Sequence, residues 1–156
     1  MIRSALRLLL AVLLLAGAPW CAAADAAPPK GSLVIIGGNL RPANGPVWER
    51  IIQLAGGKGA RIAVFASASG MPEQSGKSLV GRLDSYGAKA FFVPVAVKLS
   101  GSDYRAAADD PGLAEAVRGA NGAFFAGGDL KLMTRGLPHE DGSNTRVLDA
   151  LGEMYR

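Results

Sequence analysis

The sequence predicts an α/β fold with a doubly wound, mainly parallel sheet. Short apolar runs alternate with amphipathic helical patterns over residues 32–156, and this alternation is typical of βαβ units. The apolar runs contain almost no polar residues, which suits strands buried on both faces. The predicted strands are residues 32–36, 61–66, 90–95 and 122–126.

The first three predicted helices carry ordinary start and stop signals. An apolar face begins near Pro46, a second helix runs over residues 73–86, and glycine follows each of them. Asp110 caps a third helix that has proline in its first turn. Residues 98–108 are polar and show no clear period, so we leave them unassigned.

Two more helices are predicted after the last strand. An apolar face at helical spacing follows Asp129, which is placed to cap that helix. A final helix, capped by Ser143 or Asn144, extends to the neighbourhood of Tyr155. A helix with one strongly apolar face normally leads to another strand, so we expect the domain to continue beyond Arg156.

The first 24 residues have the pattern of a secretory signal peptide. Arg3 and Arg7 form a basic start, residues 8–18 are apolar, and an Ala-x-Ala site ends at Ala24. The run is short for a membrane span, although an uncleaved anchor stays open as an alternative. We therefore expect a secreted or periplasmic protein without a stable membrane anchor, with residues 25–31 as a linker to the α/β domain of residues 32–156.

Loss of the signal peptide changes the chemistry that the chain can carry. Cys21 is the only cysteine and leaves with the signal, so no disulfide or thiolate site is expected. The formal charge falls from +4 to about +2 because Arg3 and Arg7 are also removed. The sequence has no basic stripe with interleaved aromatic residues, so nucleic acid is not an expected partner.

The run 122–126 ends abruptly at Gly127, Gly128 and Asp129. Glycine allows the backbone a sharp turn, and the acid can cap the next helix. Open α/β sheets place their ligands at the carboxyl ends of the strands. This turn is therefore both an ordinary strand-to-helix connection and the main candidate for a functional loop.

Four other positions follow predicted strands and are candidate pocket residues: Gly37, Gly38, Ser67 and Ser69. The two glycines lack the spacing of a dinucleotide fingerprint, and a proline stands where the helix would begin, so a nucleotide is not expected. Neither serine lies in a nucleophile-elbow pattern, so both are more simply read as turn residues.

Metal and cofactor sites have no support in the sequence. No cluster of histidine, cysteine and carboxylate residues has ligand spacing, and we expect no metal or cofactor. His139 is the only histidine, and no acid lies at a fixed distance from it in the sequence. We expect it to be a solvated loop residue.

Four segments together resemble the cyanophycinases and the wider serine peptidase family that includes dipeptidase E. The most specific is the run from Gly122 to Asp129, and the others are residues 33–38, 61–69 and 86–88. The resemblance covers most of residues 32–156. It implies a sheet like that of class I glutamine amidotransferases and a serine nucleophile on a sharp strand-to-helix turn.

The resemblance also implies a reaction. Cyanophycinases hydrolyse a polyaspartate polymer with arginine side chains and release β-Asp-Arg dipeptides. The turn at Gly127, Gly128 and Asp129 would then lie beside the nucleophile and donate backbone N–H groups to the developing oxyanion. The expected partner is a cyanophycin-like or Asp-containing peptide, and a homodimer stays open.

Two departures from the family limit this interpretation. The glutamine that usually follows the acid and contacts substrate is Leu130 here, so the resemblance makes Leu130 a further candidate pocket residue but without that polar contact. The family's Gly-Thr-Ser-Ala-Gly-like nucleophile motif, and the histidine and acid after it, have no counterpart up to Arg156, so the given chain should be inactive alone. The alternatives are a non-catalytic extracytoplasmic binding module and an inactive remnant.

Overall fold

The fold is built on a small parallel sheet of three strands. The computed structural model describes residues 31–37 and 40–156. Strand β1 (Arg61–Phe65) is central, with β2 (Lys89–Val93) on one side and β3 (Gly122–Phe125) on the other. Val64 is in register with Phe92 and with Phe124, and both pairings are parallel. The predicted α/β class and parallel sheet are confirmed.

Helices cover both faces of this sheet. In chain order they are α1 (Gly45–Leu54), α2 (Pro72–Ser85), α3 (Tyr104–Ala108), α4 (Pro111–Arg118), α5 (Leu130–Gly136) and α6 (Arg146–Tyr155). Helix α3 occupies part of the polar stretch that carried no sequence pattern, and its cap is the side chain of Asp103.

Alternation along β1 divides the core into two clusters. Ile62 and Val64 face α1 and α2, where they pack with Trp48, Ile52 and Leu83. Ala63 and Phe65 face the other way and pack with α4 and α6. This second cluster also includes Val93, Val117 and Val147. Successive side chains of a strand point to opposite faces, so one short strand supports both cores.

The first predicted strand, residues 32–36, is wrong. The structure assigns this segment to no strand, and its apolar side chains are exposed, with Ile35 87% and Leu33 72% accessible. Both edges of β1 are occupied by β2 and β3, and residues 32–36 pair with neither of these two outer strands. An apolar run becomes a strand only when a neighbouring strand supplies a hydrogen-bonding ladder, and residues 32–36 have no such pairing.

The caps confirm two predictions and correct one. Asp110 and Asp129 cap α4 and α5, each accepting a hydrogen bond from a backbone N–H in the first turn. The cap of α6 is Thr145, not Ser143 or Asn144. The Thr145 hydroxyl accepts from the Leu148 amide and donates to the Leu137 carbonyl 2.6 Å away, so a buried contact selects the threonine.

Helices in the part of the chain that the structure describes are all too short or too polar to cross a lipid bilayer.

Two glycines of α2 give a matched test of this packing. A Cβ atom on Gly76 would lie 2.4 Å from Cδ2 of Phe92 on β2, whereas a Cβ atom on Gly81 would meet nothing within 4 Å. We expect Gly76→Ala to lower the free energy of unfolding by about 1–3 kcal/mol because of overpacking. Gly81→Ala should raise it by up to about 1 kcal/mol because alanine favours the helix. Urea unfolding measures both, and equal shifts in the same direction would contradict the packing of α2 on β2.

Candidate functional site

The loops that follow β1 and β3 begin side by side at the carboxyl edge of the sheet. Phe65 and Phe125 are register partners, and their rings stack with centroids 4.8 Å apart. The ladder continues one step further, because the Ala126 amide donates to the Phe65 carbonyl at 2.8 Å. Residues 66–70 and 126–129 therefore leave the sheet as neighbours.

Gly128 brings the two loops into direct contact. Its φ angle is +150°, and a Cβ atom there would lie 2.0 Å from the Ala68 carbonyl oxygen. The next residue, Asp129, donates its amide to that same oxygen at 2.8 Å. Only glycine fits this close approach of two backbones, so the residue type and the loop contact determine each other.

Asp129 then starts α5. Its Oδ1 accepts a hydrogen bond from the Lys131 amide at 2.9 Å, as the sequence predicted for a capping acid. The carboxylate lies at the surface, but one of its oxygens is held by the helix. Asp129 therefore fixes the direction in which the chain leaves the turn.

Two backbone donors of the turn have no acceptor in the part of the chain that the structure describes. Gly127 and Gly128 are exposed, and within residues 31–37 and 40–156 their amides donate to no protein acceptor. A Cβ atom on Gly127 would meet nothing within 4 Å, so the space beside this residue is open. Adjacent free N–H groups on a fixed turn can bind a carbonyl oxygen or an oxyanion.

The two candidate serines are held in the loop after β1. Ser67 is 1% accessible, and its hydroxyl donates to the Val95 carbonyl. The Ser69 hydroxyl lies 2.7 Å from the Ser75 hydroxyl and accepts the Met71 amide at 3.0 Å. Both hydroxyls thus brace the loop, and neither contacts a histidine in the described part of the chain.

The remaining predicted pocket positions are Gly37, Gly38 and Leu130, and only Leu130 is next to the turn. Gly37 lines a groove of about 790 Å³ between the extended residues 34–37 and α1, and no residue of the two loops lines that groove. Gly38 lies outside the described residues. Leu130 directly follows the turn and is 66% accessible. The structure therefore brings together Gly127, Gly128, Asp129, Ser69 and Leu130, and it leaves Gly37 elsewhere.

His139 is an exposed loop residue, as the sequence predicted, but an acid that is distant in the sequence lies beside it. Its Nε2 lies 3.5 Å from Oδ1 of Asp109, and both side chains are 41% accessible. Nearby, Arg105 pairs with Glu140, and a cavity of about 540 Å³ opens among these residues. His139 and Asp109 lie far apart in the sequence, as do Arg105 and Glu140, so no local pattern could have predicted these pairs.

A neighbouring carboxylate is held in its charged form. Hydrogen bonds from the Ser143 hydroxyl at 2.6 Å and the Ser143 amide at 2.9 Å lower the pKa of Asp141 below its ordinary value. His139 adds a smaller effect in the same direction. Asp141 is exposed, so this arrangement shapes the loop and is not evidence of catalysis.

No protein-family model matches the sequence. Among the described residues, no group of three histidine, cysteine or carboxylate side chains is arranged to hold a metal ion. The functional interpretation therefore depends on the geometry of the two loops at the carboxyl edge of the sheet.

Substitution of the two glycines of the turn tests this geometry. We expect Gly128→Ala to destabilise the chain by about 1–3 kcal/mol, because the methyl group would collide with the Ala68 carbonyl and the backbone conformation disfavours it. Gly127→Ala, with open space at its Cβ, should change stability by less than about 0.5 kcal/mol. Thermal unfolding of the two variants measures the difference. A tolerated alanine at position 128 would show that the loops do not touch as described.

Proposed function

We propose that this chain is the N-terminal part of a secreted, cyanophycinase-like serine peptidase, and that its nucleophile follows Arg156. The observation that carries the proposal is the turn of Gly127, Gly128 and Asp129, which is fixed against the Ala68 carbonyl and has two amides that bond to no acceptor among the residues that the structure describes. The substrate would be cyanophycin or another Asp-containing peptide.

The turn has a definite part in this reaction. A serine hydroxyl attacks the amide carbonyl, a base takes the hydroxyl proton, and negative charge develops on the carbonyl oxygen. The amides of Gly127 and Gly128 would donate hydrogen bonds to that oxygen. Donors that are already fixed need no reorganisation when the charge develops, which is why preorganised donors accelerate acyl transfer.

The positions of the serines support a nucleophile from elsewhere in the protein. Ser67 is buried and bonded to the Val95 carbonyl, and Ser69 is bonded to Ser75 and to the Met71 amide. The only histidine faces Asp109. In the described residues, hydroxyl and imidazole groups therefore do not form the pair that activates a nucleophile.

Sequencing the transcript beyond the Arg156 codon tests the proposal. We expect an open frame that continues into an apolar run ending in a Gly-x-Ser-x-Gly-like turn. The protein made from the full frame should be labelled by a fluorophosphonate probe, and replacing the serine of that turn with alanine should abolish labelling. The chain that ends at Arg156 serves as the unlabelled control. A stop codon directly after Arg156, or a full frame without labelling, would overturn the peptidase proposal.

A second candidate function is a non-catalytic peptide-binding module outside the cytoplasm. The engagement of both serine hydroxyls in the loop after β1 favours it, because the site then offers donors without a reactive group. Incubation of the protein made from the complete open frame with a cyanophycin-like peptide distinguishes the two functions. Cleavage of the peptide supports the peptidase, and retention of the intact peptide supports the binding module. A protein that neither retains nor cleaves the peptide would argue against the binding module.

A further inference from the structure

Residues 32–36 form an apolar segment that pairs with no strand in the part of the chain that the structure describes. Leu33 and Ile35 are 72% and 87% accessible, and Val34 and Ile36 are 41% and 37% accessible. Large apolar residues are seldom exposed in one run unless another segment or a partner covers them. We call residues 32–36 the apolar segment.

Two helices on opposite faces of the sheet lie against this part of the chain, and both also contact β3. On one face, residues 34–37 line a groove with α1, and Trp48 of α1 stacks on Phe124 of β3 with ring centroids 5.7 Å apart. On the other face, α6 contacts β3, and a Cβ atom on Gly31 would lie 2.9 Å from Cδ2 of Tyr155 in α6. The apolar segment therefore lies between the two helix layers, as a strand of the sheet does.

The hand of the crossover connections fixes the side of β1 on which the apolar segment lies. Helix α2 connects β1 to β2, and α1 and α2 pack on the same face of β1. Parallel crossovers are right-handed in nearly all proteins, so the segment before α1 lies on the side of β1 away from β2. Strand β3 is the neighbour of β1 on that side, and the apolar segment does not pair with β3. A gap in the sheet therefore separates β3 from the apolar segment.

The apolar segment runs in the same direction as the three strands. It starts beside the end of α6, where Gly31 lies against Tyr155. This end of α6 is at the amino edge of the sheet, because Glu153 pairs with Arg118 at the end of α4, just before β3 begins. The segment ends beside the first half of α1, at the carboxyl edge, because α1 leads back to the start of β1. A strand in the gap can thus form parallel ladders on both of its sides.

We propose that the gap between β3 and residues 32–36 is the docking site for a strand that follows α6. The inference rests on the proposed function, since it also assumes that the protein continues after Arg156. Helix α6 packs on the face of β1 opposite α2, so a right-handed crossover from β3 through α6 leads to the side of β3 away from β1, which is the gap. The contact of Tyr155 with Gly31 places the entry of that strand beside the segment with which it pairs.

The surroundings of the gap define the chemistry of the docked strand. Helix α1 covers one face of the gap and α6 covers the other, so the docked strand is apolar on both faces, as central parallel strands are. Docking would make residues 32–36 an outer strand with one paired edge. The docked strand would end at the carboxyl edge of the sheet, beside the turn that follows β3.

Amide hydrogen exchange of the protein made from the complete open frame tests the inference. We expect alternate amides of residues 33–36 to exchange at least about a hundredfold more slowly than in an unfolded peptide, because every second N–H of an outer strand points toward its neighbour. The Val64 amide in β1 is the protected reference. Nuclear Overhauser effects between backbone protons should connect residues 33–36 to the residues that follow Arg156.

Proline at two adjacent positions gives a matched pair of variants. Of Val34→Pro and Ile35→Pro, one removes an N–H that bonds to the docked strand, and the other removes an N–H that points away from it. We expect the variant at the slowly exchanging position to lower the Tm of the full-frame protein by at least about 4 °C more than its neighbour does. Equal Tm values for the two variants would contradict a one-sided ladder.

The outcomes separate this inference from the proposal on which it rests. Fast exchange throughout residues 33–36, in a protein that a fluorophosphonate probe labels, would overturn the docking and leave the peptidase proposal in place. Slow exchange that is lost on dilution, or Overhauser effects to a different segment, would also overturn it, since a second copy or that segment would then fill the gap. Alternate protection with the expected Overhauser effects in an unlabelled protein would support the docking and overturn the peptidase proposal. A stop codon directly after Arg156 would overturn both.

Discussion

The central strand β1 is the element on which the rest of the structure depends. Residues 62–69, which span most of β1 and the loop after it, are buried without interruption. The strand pairs with β2 and β3 along both edges and supports a separate hydrophobic cluster on each face. A strand that is enclosed in this way has one register, because a slip of one residue would exchange the two faces.

The candidate site is a consequence of that enclosure. Since β3 lies in register with β1, the turn after Phe125 meets the loop after Phe65, and Gly128 allows the two backbones to touch at Ala68. The amides of Gly127 and Gly128, which bond to no acceptor in the described part of the chain, are consequently presented from a fixed base. Preorganisation of this kind lowers the entropy cost of binding and is as useful to a binding module as to a peptidase.

The sequence predicted the parts of the fold that local physics determines. Asp110 and Asp129 are caps because a carboxylate follows a loop and precedes a helical apolar face, and β1 and β3 are strands because short β-rich runs end in small residues. Predictions failed where distant residues decide: residues 32–36 pair with neither β2 nor β3, the two outer strands of the sheet, and Thr145 displaces Ser143 and Asn144 through its bond to Leu137. His139 is the exposed loop residue that was predicted, but its neighbour Asp109 could not be found from a local pattern. The turn could be found from its sequence, but its contact with Ala68 could not, because the partner is distant in the chain.

Amide hydrogen exchange tests the central claim most directly. If the turn is fixed against the Ala68 carbonyl, the Asp129 amide should be protected to a degree similar to the Ala126 amide, which bonds to Phe65. The amides of Gly127 and Gly128 should exchange close to the rate of an unfolded peptide. Exchange of Asp129 as fast as its two glycine neighbours would contradict the account, because the loops would then not hold each other in place.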